Sequence, residues 1–195
     1  ARIDASYAGW IDLFGWGTRI PTNSTTHASS YGEFIEWGGY AIGADKPRTW
    51  RTLTQEEWTY LLEGRPNATK LCGMAEVAGV NGLILLPDIW TTPPTVIFKS
   101  GVCAEAGDKY FAQHQTISEE QWLLMEAAGA VFLPAAGYRY EKDVLFVESV
   151  GRYWSSTPSV ETAAAAALFF YSIELMPHNF DNRCRGLSVR LVKDI

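Results

Sequence analysis

The sequence predicts a framework near the carboxyl end of the chain from two segments, GRYWSS at residues 151–156 and GLSVRLV at residues 186–192. The second segment alternates apolar side chains with others, which predicts a strand with Leu187, Val189 and Leu191 facing inward. Residues 157–185, between the two segments, follow no regular pattern. We therefore expect a rigid scaffold that presents this irregular segment as a binding surface.

Within the irregular segment, the stretch 162–170 admits two interpretations. Five consecutive alanines occupy residues 163–167, and propensity alone predicts a helix because alanine is the best helix former. Strand alternation would instead place Leu168 and Phe170 on one face and the intervening aromatic residues on the other. Propensity and periodicity by themselves do not decide between the two.

Two short helices are predicted from a repeated pattern, LTQEEW at residues 53–58 and ISEEQW at residues 117–122. Thr54 and Ser118 stand at the N-cap with Glu or Gln three residues later, which is the capping-box pattern. The acidic first turns suit the positive end of the helix dipole, so we assign these carboxylates a structural role. The predicted helices cover about 55–63 and 119–128, each followed by a glycine.

Short apolar runs predict the strands. The runs 83–86 and 130–133 end at a proline, 144–147 is a further candidate, and 95–98 lies in a long connection. The dipeptide Asn81-Gly82 predicts a turn before the first of these runs. Together with the two helices, these runs predict an α+β fold with small antiparallel sheets and long irregular loops.

Composition and charge argue against several classes of protein. The net charge of −6 and the lack of a basic cluster argue against a nucleic-acid partner. No apolar run approaches the roughly 20 residues that a membrane span needs. The three cysteines and three histidines are isolated in sequence, so we expect buried or incidental thiols, no metal site and no cofactor. The length fits one domain that covers residues 1–195.

Segments spread over the whole chain carry a family resemblance. They are WIDLFGWG at residues 10–17, WRTLT at 50–54, GLILLPD at 82–88, GAVFLPAAGYR at 129–139, YWSS at 153–156 and GLSVRLV at 186–192. Through them the chain resembles the variable proteins of diversity-generating retroelements, in the form found in gut bacteria and their phages. The resemblance implies a C-type lectin fold in the variant shared with formylglycine-generating enzymes. That fold has two helices, a small twisted sheet with paired termini, and long loops.

The resemblance also implies which residues bind ligand. In such systems a reverse transcriptase copies a template with errors at adenines, which implies a diversified region of about 152–185 in this chain. Diversified positions need not obey propensity, so we expect a strand at the alanine run, and some of residues 163–167 are expected to vary. The implied fixed positions are Leu168, Phe170, Pro177, Asn182, Arg183 and Gly186. The implied variable, ligand-binding residues are Ser159, Val160, Phe169, Tyr171, Ile173, Glu174, Met176, His178, Phe180, Asp181 and Arg185.

The implied function is a non-catalytic receptor or adhesin module that binds an unknown protein or glycan ligand on a cell surface. No nucleic-acid partner is expected. The expected location is extracellular, on a cell surface or on a phage virion. The chain begins at Ala1 rather than Met, so we expect a leader or anchoring region that is not part of it.

Two alternative functions stay open. A calcium-dependent, carbohydrate-binding lectin of the wider fold would use Glu-Pro-Asn or Gln-Pro-Asp and Trp-Asn-Asp motifs to supply oxygen ligands. In this chain Trp154 is followed by two serines, which disfavours that alternative. An enzyme of the formylglycine-generating kind relies on paired, reactive cysteines near the carboxyl end, where this chain has Cys184 alone, with His178 nearby in sequence.

Overall fold

The computed structural model describes residues 14–17, 34, 39, 42–102, 110–141, 143–160 and 163–194. Short strands mixed with a few short helices agree with the predicted α+β class. The helical segments are α1 Gln55–Thr59 with a π-helical continuation Tyr60–Gly64, a 3₁₀ turn Ala68–Lys70, α2 Phe111–His114 and α3 Glu119–Ala127. The strands are β1 Trp50–Thr52, β2 Cys72–Val77, β3 Val80–Leu85, β4 Thr116–Ile117, β5 Val131–Pro134, β6 Tyr138–Tyr140, β7 Asp143–Leu145, β8 Val150–Pro158, β9 Ala164–Tyr171, β10 Glu174–Asn182 and β11 Leu191–Lys193. No helix among the described residues has the length and apolar character of a membrane span.

Both predicted helices are present, and both begin with the predicted capping box. The Thr54 hydroxyl accepts a hydrogen bond from the Glu57 amide at 3.1 Å, and the Glu57 carboxylate accepts one from the Thr54 amide at 2.8 Å. Ser118 and Gln121 make the same reciprocal pair at the start of α3. The helical conformation that starts in α1 continues through its π-helical turn to Gly64, close to the predicted end. Local side-chain chemistry therefore sets both helix starts.

The alanine run forms part of a strand, so the helix that propensity predicts is wrong here. β9 is the middle strand of an antiparallel three-stranded sheet with the order β10-β9-β8. Ala165, Ala166 and Ala167 are at most 1% exposed, and the first and last of them pack beside Trp16 and Trp154. The expectation that some of residues 163–167 vary does not suit these three buried positions, whereas Ala163 is exposed and Ala164 partly exposed.

The larger sheet has four strands in the order β4-β2-β3-β5, and its β2–β3 hairpin corrects a predicted turn. Asn81 and Gly82 lie inside β3, whereas the turn is made by Ala78 and Gly79 with φ of 49° and 81°. A Cβ atom on Gly82 would come within 2.6 Å of the Phe132 ring on β5. The glycine that suggested a turn is required instead by close packing between strands.

Two strand predictions inside connections also differ from the structure. Residues 95–98 form no strand, because Thr95 has a left-handed φ of 70° that breaks an extended run. The run predicted over 144–147 is paired only as β7, and Phe146 leaves the strand with a φ of 58°. The left-handed conformation turns the Phe146 side chain out of the sheet.

The predicted carboxyl-terminal strand is divided into two parts. Leu187 pairs with Phe14 in an isolated bridge, and β11 pairs antiparallel with β1, with Arg51 opposite Val192. Leu187 is fully buried and Val189 packs with it, as predicted, whereas in β11 the residue that packs against the main core is Val192 rather than Leu191. The pairing of β1 with β11 joins the first and the last of these strands.

The main core packs α1 against the inner side of the three-stranded sheet. Trp58 and Leu62 of the first helical segment meet Tyr153, Leu168 and Phe170 in one buried cluster. A second cluster packs α3 against the four-stranded sheet. On the opposite side of β8–β10, Trp154, Ala165 and Ala167 are buried beside Trp16, so that side is open only at the end of the sheet that carries Phe169 and Tyr171.

Candidate ligand-binding surface

The β9–β10 hairpin has one buried face and one open face. Leu168 and Phe170 are 0% exposed, whereas Phe169 and Tyr171, which alternate with them, are partly exposed. The Phe170 ring stacks on Tyr153 at a centroid distance of 6.2 Å on the buried side. The predicted alternation along this strand is therefore confirmed.

The strand register gathers five side chains on the open face. Met176 and Arg152 stand opposite Phe169 from the two neighbouring strands, and Glu174 stands opposite Tyr171. Directly opposed residues of antiparallel strands share a face of the sheet. Phe169 and Tyr171 also touch each other, with ring centroids 5.8 Å apart. All five residues fall within the region predicted to be diversified.

Aromatic side chains from the β6–β7 hairpin extend this open face. The Arg152 guanidinium lies 4.2 Å from the centroid of the Tyr138 ring and 5.0 Å from that of Phe169. Arg185, in the turn after β10, lies 5.4 Å from Tyr138 and 5.6 Å from Tyr140. We call this combined area the outer surface; its residues are Tyr138, Tyr140, Phe146, Arg152, Phe169, Tyr171, Glu174, Met176 and Arg185.

Asp181 supports the outer surface from beneath and is not an exposed contact residue, which corrects its predicted placement. Its side chain is 1% exposed and pairs with both Arg152 and Arg185, the second at 2.8 Å. Its Oδ1 atom also accepts a hydrogen bond from the Asn182 amide at 2.8 Å. Asp181 stands opposite Ala165, and a buried carboxylate is stable only with charged or hydrogen-bonding partners of this kind.

The tip of the β9–β10 hairpin carries two more of the predicted residues. Ile173 is 47% exposed at the two-residue turn. A hydrogen bond to Glu174 raises the pKa of the Tyr171 hydroxyl above its ordinary value. Ile173 and Glu174 also line a cleft of about 590 Å³, whose floor includes Cys72 and Leu62. Burial raises the pKa of the Cys72 thiol to about 11, so this thiol is protonated at neutral pH.

His178 and Phe180 lie apart from the outer surface. A register shift separates them from Met176, and Phe180 stands opposite Ala166, whose side chain shares the face of Leu168 and Phe170. His178 Nδ1 lies 3.9 Å from a Glu63 carboxylate oxygen at the end of the first helical segment. Phe180 is 49% exposed at the rim of this face. These two residues belong to a different side of the sheet from Phe169.

Ser159 and Val160 lie in the connection that follows β8. The Ser159 amide donates a hydrogen bond to the Ala164 carbonyl at 3.2 Å. Val160 is fully exposed. The structure thus brings Phe169, Tyr171, Glu174, Met176 and Arg185 together on the outer surface, with Ile173 at the neighbouring tip. It does not bring His178 or Phe180 to the same face.

Three aromatic residues of the outer surface were not predicted as binding residues. Tyr140 and Phe146 are 46% and 57% exposed, and the Phe146 ring stacks on Tyr138 at 5.8 Å. The signal available in the sequence is the alternation YRY at residues 138–140, which places both tyrosines on one side of a strand. Arg152 lies at the edge of the predicted region but was not among the predicted contact residues.

The part of the chain that the structure describes shows no group of three or more His, Cys, Asp or Glu side chains placed to hold a metal ion. Comparison of the chain with protein-family models, with curated proteins and with solved structures found no match. The family likeness therefore rests on the sequence segments quoted above. The geometry of the outer surface does not depend on that likeness.

Proposed function

We propose that this chain is a non-catalytic ligand-binding module whose outward side chains form a hypervariable surface generated by a diversity-generating retroelement. The proposed fold is the C-type lectin fold in the variant shared with formylglycine-generating enzymes. The β1–β11 pairing, the two capped helices and the irregular connections support this proposal. The proposed ligand is a protein or glycan on a cell surface, and the proposed location is extracellular, on a cell surface or on a phage virion.

The observation that carries the proposal is the alternation of burial along β9. A framework that must fold with many different side chains at its variable positions requires that substitutions at those positions cost little folding stability. Exposed positions meet this condition, because substitutions there usually change stability by less than about 0.5 kcal/mol. Phe169 and Tyr171 are partly exposed, while Leu168 and Phe170 are fully buried in the core.

The composition of the outer surface also supports a binding role. It combines Tyr, Phe, Met and Arg, the residue types that are enriched where proteins contact partners. Phe146 and Ile173 expose about half of their surface, and a chain gains nothing in stability by leaving such side chains in water. Contact with a ligand would cover them.

Sibling sequences from the same locus test the proposal. We expect amplicons of the coding region from many isolates to differ at Phe169, Tyr171, Ile173, Met176 and Arg185. The interleaved Leu168 and Phe170 act as internal controls, because they lie on the same strand and face the core. Substitutions spread equally over both sets would contradict the proposal.

A further inference from the structure

Two arginines of the outer surface share a single carboxylate. Asp181 is the one acidic residue in the described ranges within ion-pair distance of Arg152 or Arg185. Two guanidinium groups and one carboxylate leave one positive charge within this cluster, while Glu174, the other acidic residue of the outer surface, lies opposite Tyr171 at the hairpin tip. This excess stands on a chain whose net charge is −6, so it is a local feature and not a general property of the surface.

Each of the two arginines retains hydrogen-bonding capacity. A guanidinium has five N–H donors, and one nitrogen of each guanidinium is bonded to Asp181. The Nε atoms of both residues are buried without a hydrogen-bond partner. The side chain of Arg185 is 32% exposed and that of Arg152 is 16% exposed. Arg185 is therefore the more accessible of the two arginines to a ligand on the outer surface.

Aromatic rings hold the two guanidinium groups in place. Tyr138 contacts both of them, at 4.2 Å from Arg152 and 5.4 Å from Arg185. A cation over the face of an aromatic ring is attracted by the ring's electrons. A guanidinium fixed by stacking and by an ion pair loses little conformational entropy when it binds, so the pair is already oriented for an acceptor.

The surroundings favour a protein over a saccharide as the source of that acceptor. Phe169, Met176, Phe146 and Tyr140 offer aromatic and aliphatic area around the two cations. Aromatic residues, Met and Arg are enriched at contacts between proteins. Flexible Met adapts to irregular apolar side chains of a partner.

We propose that the outer surface binds an acidic segment of a protein ligand, with an Asp or Glu carboxylate held by Arg185 and Arg152 and a neighbouring apolar side chain packed on Phe169 and Met176. This inference rests on the proposed binding function and names the chemistry of its ligand. Asp181 is a positioning residue, because it holds both arginines without being exposed to the ligand.

A random-peptide selection tests the inference. A phage-displayed library of random dodecapeptides is panned on the immobilised chain, and the selected peptides are synthesised for calorimetry. We expect them to carry Asp or Glu next to an apolar residue. Changing that acid to its amide should weaken binding by about tenfold or more, as expected for a lost charge-assisted pair.

A double-mutant cycle assigns the effect to the arginines. Arg185→Gln should lower the affinity for the acidic peptide by a similar factor. In that variant the acid and amide peptides should bind with equal affinity. Lys99→Gln is the matched control, because it removes one exposed positive charge beside the four-stranded sheet and should leave affinity within about twofold. The comparison of acid with amide peptide uses the unmodified protein, so it remains decisive if a variant folds poorly.

The outcomes separate this inference from the proposed function. Equal binding of acid and amide peptides would overturn the carboxylate inference and leave the binding surface intact. Selected peptides that bind a Phe169→Ala, Tyr171→Ala double variant as well as the unmodified chain would place binding elsewhere and overturn both. A third outcome is that no peptide is enriched in the panning while a glycan array captures the chain on glucuronate-bearing sugars. This outcome would assign the arginines to a saccharide ligand and overturn the proposal of a protein ligand.

Discussion

The ring of Phe170 occupies the space that a Cβ atom on Gly151 would fill, and the two residues stand opposite each other in the β8–β9 pairing. Gly151 thus allows a large aromatic side chain to lie flat across the inner side of the sheet. The same ring stacks on Tyr153 and makes an edge contact with Phe111 at 6.4 Å. The inner side that supports the outer surface depends on this close approach.

Replacing Gly151 with Ala should destabilise the protein, because the added methyl group forces Phe170 out of its place. We expect a loss of about 1–3 kcal/mol in the free energy of unfolding, the usual cost of overpacking a filled core. Urea denaturation followed by tryptophan fluorescence measures it. Gly39→Ala is the matched control, because no atom of the other described residues lies within 4 Å of its Cβ position. An unchanged midpoint in both variants would contradict the packing of Phe170 against Gly151.

Two phenylalanines in the same hairpin should respond very differently to truncation. Phe170→Ala removes a fully buried ring and should cost about 3–5 kcal/mol, whereas Phe180→Ala removes a ring that is 49% exposed and should cost less than about 1 kcal/mol. Thermal unfolding of both variants provides the comparison. Similar losses would contradict the difference in burial between these two rings, which lie on the same side of the sheet.

The helix starts were predictable because their causes are local. Thr54, Glu57, Ser118 and Gln121 satisfy backbone groups within three residues of themselves, so the pattern needs no knowledge of the rest of the fold. The strand at the alanine run had a different basis. It followed from the family resemblance, and the structure shows that tight packing beside Trp154 makes it necessary.

The features that the sequence did not predict depend on distant contacts. In the sequence Gly82 resembles a turn residue. Its actual role, close packing against Phe132 of a later strand, depends on a contact that the local sequence does not show. Asp181 resembles a surface residue until Arg152 and Arg185 are brought to its two oxygens. Arg185 lies only four residues from Asp181, but Arg152 lies 29 residues away, and local pattern does not contain that second partner.

The ion pairs of Arg51 should make stability depend on pH through Glu57. Arg51 donates to both Glu57 oxygens, at 2.6 and 2.7 Å, and this pairing lowers the pKa of Glu57 below its ordinary value. A lowered folded-state pKa stabilises the protein above the unfolded-state value, about 4.3, and that contribution is lost as the pH falls through the folded-state value. Glu57→Gln should therefore be less stable than the unmodified chain at pH 7, by up to about 1 kcal/mol because the pair is partly exposed.

The difference between the two proteins should shrink as the pH is lowered below about 4.3, since Glu57 is then neutral in both folded and unfolded chains. Urea midpoints at a series of pH values measure the difference directly. Glu56→Gln is the control, because Glu56 is the exposed neighbour in the same helical turn and should show a smaller change with pH. A difference for Glu57→Gln that stays constant down to pH 3 would show that the Arg51 pairing does not lower the pKa of Glu57.

Cys72 should be unreactive in the folded protein, and Cys184 should be the accessible thiol. Cys72 is 2% exposed and its pKa is raised to about 11 by burial, so roughly one molecule in a thousand carries the thiolate at pH 8. Cys103 lies outside the described residues, so the measurement uses a Cys103→Ser background. Reaction with an aromatic disulfide reagent should then modify one thiol in the folded chain and two after unfolding in urea. Adding Cys184→Ser should abolish the rapid reaction of the folded chain, because Cys72 can react only when the inner core around Leu168 and Phe170 opens. Rapid modification of Cys72 in that variant would contradict this prediction. It would mean that the cleft below the hairpin tip admits the reagent and that burial does not keep the thiol protonated.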